Sequence, residues 1–186
     1  VTISVDADDL NRSSGNLEYR YRWTKNGEAA GPEAATISAA LTQKGEVWQV
    51  EVVAFDGFVE GALGTAQVKI KNSTPSCDQA VILPSSGTTL TDFECQCASD
   101  SDADSDDTVT SSCVFKNHVT GELLNVAEAT SSSCLLPASA TSKGLEIRCT
   151  LTPEDGEDSG EPLDAPTVLV LNSPPTPPSV VQITPE

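Results

Sequence analysis

The chain repeats itself, and whatever one half folds into the other must fold into as well. QKGEVWQVEVVAFDGFVEG, from Gln43, matches SKGLEIRCTLTPEDGEDSG, from Ser142, at an offset of 99 residues, bringing Val50 onto Cys149 and Asp56-Gly57 onto Asp155-Gly156. VKIKNSTP then answers VLVLNSPP at an offset of 100. Upstream, RWTKNG answers CVFKNH and VDADD answers SDADS. A unit of about a hundred residues is the size of one β-sandwich domain.

Within each unit the local pattern is β. LEYRYRW alternates Leu17, Tyr19, Tyr21 and Trp23 with Glu18, Arg20 and Arg22, the period of two that marks a half-buried strand. VWQVEVVAF and AQVKIKN behave alike, and Lys25-Asn26-Gly27 supplies a hairpin turn whose Asn-Gly tolerates positive φ. No window carries a helical stripe. NSTPSC and NSPPTPPS are proline-rich and read as short, stiff connectors. These features divide the chain into residues 1–72, residues 73–173, and a connector with a further strand at 174–186. No stretch approaches the roughly 20 apolar residues of a membrane-spanning helix. VTISV reads as the middle of a strand, and there is no methionine, so an excerpt of a longer precursor is expected.

The net charge of −18 is uneven: residues 1–74 hold 10 acids and 7 bases, and residues 75–186 hold 18 acids and 3 bases. Such a surface repels phosphate backbones and anionic membranes, since nucleic-acid affinity comes largely from Lys and Arg displacing counterions. Dense carboxylates instead recruit cations, and calcium prefers oxygen ligands. All six cysteines, Cys77, Cys95, Cys97, Cys113, Cys134 and Cys149, lie in the second half. An even count with scattered spacing points to disulfides and an oxidising compartment, so an extracellular or cell-surface location is expected. Zinc would want paired CxxC knuckles with histidines, whereas there is one CxC and a lone His118. A redox-active CxC lacks the flanking cation or helix start that lowers a thiol pKa.

YRYRWTKNG resembles strand C and the following turn of an immunoglobulin-like domain, with Trp23 at the core tryptophan position. DFEC, DADSDD and IRCTLTPEDG resemble tandem immunoglobulin-like repeats of large bacterial cell-surface and secreted proteins. The resemblance implies an all-β chain of two tandem immunoglobulin-like β-sandwich domains joined by a short proline-containing linker. The first repeat lacks cysteines, and the second has Cys113 or Phe115 where strand C wants tryptophan. In this frame Cys95 on strand B and Cys149 on strand F form the inter-sheet pin. Cys97 shares a face with Cys95 and needs another partner, for which Cys77 on strand A is the nearest, leaving Cys113 with Cys134. Six cysteines allow 15 pairings, and these two remain open. The first repeat would compensate for its missing pin with Trp23, Trp48, Tyr19 and Tyr21.

The same frame puts Asp100, Asp102, Asp104, Asp106 and Asp107 in the loop between strands B and C, and Glu154, Asp155, Glu157 and Asp158 in the loop between strands F and G. Both loops belong to one pole, so Asp100, Asp102, Asp104, Asp106, Asp155 and Asp158 are the expected ligands of a calcium ion facing the preceding domain. The alternative is a solvated acidic loop. An EF-hand is excluded, because position 6 is Ser105 and position 12 is Ser111. The first repeat offers only Asp6, Asp8, Asp9 and Asp56. Asn72-Ser73-Thr74 and Asn11-Arg12-Ser13 fit the N-glycosylation sequon.

The second unit opens with SCDQAVILP as its strand A, while VTISV corresponds to a strand B, and the closing SVVQITPE resembles another strand A. One reading is an array cut out of register with its domains. The other is strand donation, with Val180, Val181 and Ile183 completing the sandwich of the next copy. A single histidine and no glycine-rich phosphate loop argue against an enzyme. The expected role is an extracellular structural or adhesive segment forming a stalk, filament or coat. Its partners are copies of itself or adjacent repeats, with no nucleic acid. The alternative is a module of a surface adhesin that binds glycans or proteins through its loops.

Overall fold

A computed structural model describes residues 2, 4, 5, 17–124, 134–178 and 182. Contacts divide the chain into two units, Val1–Ser73 and Thr74–Glu186. Of VTISV, Thr2, Ser4 and Val5 are described, and the closing strand of 179–186, Gln182 apart, lies outside the described residues.

The first unit builds a four-stranded antiparallel sheet from β1 (Glu18–Lys25), β2 (Glu28–Ala29), β3 (Val47–Phe55) and β4 (Gly64–Lys69), in the order β2-β1-β3-β4. Asn26 (φ 53°) and Gly27 (φ 89°) make the two-residue turn between β1 and β2, and a primed turn needs positive φ at both centres. Alternation then aims Trp23, Trp48, Val50 and Val52 at one face, where they bury with Ile37. The two indoles meet edge to face, 6.4 Å apart. A bridge between Thr2 and Thr36 belongs to the facing layer.

The second unit runs through β5 (Ser76–Cys77), β6 (Ala80–Leu83), β7 (Gly87–Thr88), β8 (Phe93–Cys97), β9 (Asp100–Ser101), β10 (Thr110–Asn117), β11 (Cys134–Leu136), β12 (Glu146–Glu154), β13 (Leu163–Asp164) and β14 (Val168–Leu171). One sheet is β11-β8-β6, the other β10-β12-β14-β7 with β13 on β12, and β5 pairs with β9. The chain changes sheet between β8 and β10 and again between β11 and β12, and β7 joins β14 in parallel. This is an all-β, immunoglobulin-like sandwich, with β6, β8, β10, β11, β12 and β14 as strands A, B, C, E, F and G. Phe93, Phe115, Leu136, Ile147 and Leu151 are fully buried between the sheets.

Pairing registers align the repeats strand by strand. Trp23 faces Val50 as Phe115 faces Cys149, so Phe115, and not Cys113, holds the strand C tryptophan position. Thr2 bridges Thr36 as Glu94 pairs with Leu135, which lays Thr2 over Glu94. Strands B and C thus share an offset of 92 residues, whereas strands E and F share 99. Residues 6–9 of VDADD, matched by sequence to SDADS, lie outside the described residues. The E-to-F connections are alike in detail. In each, a 3-10 turn, Ala39–Leu41 or Ala138–Ala140, is closed by a threonine hydroxyl, Thr42 or Thr141, donating to the first carbonyl at 2.9 Å.

The cores differ at matched positions. Glu46, Trp48, Val50 and Val52 of the first unit stand where Leu145, Ile147, Cys149 and Leu151 stand in the second. Glu46 is buried, and its carboxylate accepts from Lys25 Nζ, Gln43 N and Trp48 Nε1 at 2.9–3.0 Å. The Gln43 amide first, and then Trp48 and Lys25, hold its pKa below the usual glutamate range. Glu46, two indoles and Val50 occupy in one repeat the positions of Leu145, Phe115, Ile147 and the disulfide-bonded Cys149 in the other.

Candidate functional site

The six cysteines form three disulfides, Cys77–Cys97, Cys95–Cys149 and Cys113–Cys134, with Cα separations of 5.9, 6.4 and 6.0 Å. Two of them cross the sandwich. Cys95 on β8 reaches Cys149 on β12, and Cys113 on β10 reaches Cys134 on β11, while Cys134 also pairs with Cys95 within its own sheet. The third ties β5 to the end of β8 beside the acidic loop.

That loop leaves β9 and returns at β10. Asp102 Oδ1 accepts from the Asp104 amide at 2.8 Å, and the Asp107 amide donates to the Asp104 carbonyl at 3.0 Å. These two turns fold the loop back on itself. The hairpin between β12 and β13 does likewise: Asp155 Oδ1 accepts from the Glu157 and Asp158 amides, both at 2.7 Å, with Gly156 at φ 92°. The first repeat builds the same hairpin from Asp56, Phe58 and Val59, with Gly57 at φ 95°. The Val59 and Phe58 amides hold the Asp56 pKa below its usual value.

The two loops bring Asp102, Asp107 and Asp155 together, with one carboxylate oxygen from each within 4.8 Å of the others. All three are half-buried. Asp102 Oδ2 is fully buried and has no hydrogen-bond partner. A buried carboxylate oxygen without a donor is costly, and a hard cation removes that cost. Three converging oxygen donors fit calcium, whose remaining positions are commonly filled by carbonyls and water. Of the ligands expected from sequence, Asp102 and Asp155 are in the cluster. Asp107, a member of the same loop, joins them. Asp100 instead pairs with Cys77 in the β5–β9 ladder, and Asp100, Asp106 and Asp158 are exposed. Asp104 supplies the turn carbonyl.

His118 is exposed in the turn after β10. Asn72 is half-buried. Asp6, Asp8, Asp9, the Asn11-Arg12-Ser13 sequon, Val180, Val181 and Ile183 lie outside the described residues. A position not singled out from sequence is Gly160, where an added Cβ would collide with the Pro75 carbonyl and come within 2.8 Å of Pro153 Cγ. Its recurrence as Gly61 at the repeat offset is the signal that could have found it.

No protein-family model matches the chain, and no curated protein matches it. Among solved structures it is similar to the chicken CNTN1 FN1-FN3 domains, with 11% identity, a TM-score of 0.42 and coverage of 89% of this chain and 60% of that one. It is also similar to the three N-terminal domains of the bacteriophage RB49 Highly Immunogenic Outer Capsid protein (Hoc), with 13% identity, a TM-score of 0.40 and coverage of 86% and 59%. The chain thus spans about three fifths of each of these structures.

Proposed function

We propose that this is a non-enzymatic structural or adhesive segment outside the cell, a series of immunoglobulin-like sandwiches forming a stalk, filament or coat by head-to-tail association. The observation that carries the reading is where the reactive groups are spent. All six cysteines are in disulfides, and Glu46, Asp56 and Asp155 satisfy backbone amides or the core. Disulfides persist in oxidising compartments, which favours an exterior location. Immunogold labelling of the intact source cell or particle tests this: label on the exterior, on a regular repeating assembly, is expected, and label confined to the interior overturns it.

Calcium is the cation we assign to Asp102, Asp107 and Asp155, where it would tie the acidic loop to the β12–β13 hairpin. Binding to the folded state alone raises the melting temperature with ligand concentration. Melting of the second unit should therefore shift upward in calcium relative to EDTA, and Asp102→Asn should abolish the shift. An identical melt in both conditions removes the site.

A second reading, a protein-binding module, draws on Phe58 and Val59, which stand 90% and 67% exposed at the hairpin tip of the first unit. A large exposed apolar pair is characteristic of contact surfaces.

A further inference from the structure

Two disulfides of the second unit cross between its sheets, Cys95–Cys149 and Cys113–Cys134, and strand register decides which sulfurs are neighbours. Cys95 and Cys134 are direct partners in the antiparallel pair of β8 and β11. Cα atoms of such partners lie about 4.5–5.5 Å apart, inside the range that a disulfide spans. On the facing sheet the other two cysteines are out of step: Cys113 pairs with Leu151, and Cys149 with Phe115. Cys113 and Cys149 are therefore diagonal neighbours, about 7–8 Å apart and beyond the usual span of a bridge. These four cysteines admit one alternative bond along the strands, Cys95 to Cys134, without its counterpart on the other sheet.

Access separates them further. Cys95, Cys134 and Cys149 are 1%, 0% and 0% exposed, whereas Cys113 is half-buried. Cys113 stands on β10, the outer strand in the order β10-β12-β14-β7. An entering nucleophile thus meets Cys113 before the other three. Cys97 is half-buried as well, but its strand partner is Ala80, and that of Cys77 is Asp100. A sulfur freed from the Cys77–Cys97 bond has no second disulfide at a paired position, and it recloses. A sulfur freed at Cys134 lies beside Cys95.

We propose that Cys113 is a thiol-exchange site: it takes up a small monothiol from solution as a mixed disulfide, while the bonding of the core sulfurs shifts from across the sandwich to along one sheet. The small molecule's thiolate attacks Cys113 Sγ, and the Cys113–Cys134 bond breaks with Cys134 leaving as a thiolate. Cys134 then attacks Cys95 Sγ. The Cys95–Cys134 bond forms, the Cys95–Cys149 bond breaks, and Cys149 leaves with the electron pair and takes up the proton that the small thiol gave up. Two disulfides and one thiol enter the exchange, and two disulfides and one thiol leave it, so it consumes no oxidant or reductant beyond the monothiol itself. Cys149, on the diagonal from Cys113, cannot expel the adduct, which is thereby retained.

The first unit shows that the position of Cys149 works without a bridge. Its counterpart Val50 is 1% exposed, and that repeat contains no cysteine. A reduced Cys149 fills the same place as a small apolar side chain. The exchange therefore removes both links between the sheets of the second unit, leaves its core filled, and does not touch the first unit.

Because each sulfur ends in a different state, one experiment reads them all. The folded chain is incubated with reduced glutathione, quenched in acid, alkylated, and mapped by tandem mass spectrometry of its peptides. Expected are glutathione on Cys113, a Cys95–Cys134 cross-link, an alkyl group on Cys149 and an intact Cys77–Cys97 bond. Hydrogen-exchange protection should fall across β10 and β12 in the same sample, while β3 of the first unit keeps its own. Alkylated Cys113 and Cys134 beside an intact Cys95–Cys149 bond overturn the proposal, since they mean simple reduction without transfer. Glutathione placed first on Cys77 or Cys97 overturns it too, as does a chain in which all three original bonds survive the incubation.

Discussion

Replacing Cys95 and Cys149 together, as Cys95→Ala/Cys149→Val, measures what the central pin contributes. Valine is the apt substitute at 149 because Val50 already occupies that position in the first unit, 1% exposed. The bond spans 54 residues, of which Cys113–Cys134 bridges 21, leaving an effective loop of about 33. Loop-closure entropy for that length is worth about 3.7 kcal/mol, against about 4.2 if the inner bridge is ignored. Sulfur lost at position 95 and carbon gained at 149 roughly cancel in burial, at about 0.8 kcal/mol per methylene. At about 1.4 kcal/mol per decade the opening equilibrium rises about 500-fold. Hydrogen exchange followed by mass spectrometry reads this directly, since the most protected amides report global opening. Protection across β12 should fall by two to three decades while β3 stays unchanged. A loss under about tenfold in β12 would show that packing and not the pin holds the sheets, and an equal loss in β3 would refute independent cores.

The repeated glycine gives a matched pair: Gly160→Ala should destabilise the second unit by about 1–3 kcal/mol through overpacking against Pro75, whereas Gly61→Ala should stay within about 0.5 kcal/mol in monomeric protein, as urea titration of each would show. Glu46 and Asp56 have folded pKa values below their usual ones, so the stability they add is present above the unfolded pKa and is lost as pH falls through the folded value. The tryptophan-detected melt of the first unit should therefore drop on acidification below about pH 5, and Glu46→Gln should flatten that slope while leaving the Asp56 part; parallel slopes would contradict the assignment. Trp23→Phe, the residue type of Phe115, leaves the Ala34 carbonyl without its 2.8 Å indole donor and opens space around Trp48. A cost of about 1–3 kcal/mol is expected from fluorescence-detected unfolding, and no change would mean that the site repacks.

Much of the fold was legible because strands carry their own periodicity. The alternation of LEYRYRW reappears as half-buried Tyr19 and Tyr21 and buried Trp23 against exposed Glu18, Arg20 and Arg22. Lys25-Asn26-Gly27 forms the turn its backbone preferences favour. The acidic site was only half legible. Loop length told which aspartates were near the pole, but an aspartate's direction is set by hydrogen bonds such as Asp102 Oδ1 to the Asp104 amide. Those bonds gather Asp107 with Asp102 and Asp155 and leave Asp100 in a ladder with Cys77. Glu46 was not legible at all: an acid beside a strand reads as surface until Lys25, Gln43 and Trp48 are seen to close around it.

By itself the sequence determined the repeat, the β periodicity, the turns and the segregation of all cysteines and most acids into one half, since these depend on spacing along the chain. Only the tertiary structure decided that Phe115 replaces Trp23, that Thr2 lies over Glu94, and which three carboxylates converge. Each of those turns on inter-strand register, a relation between residues distant in sequence. Sliding a strand along its neighbour leaves its own alternation intact while changing every partner it meets.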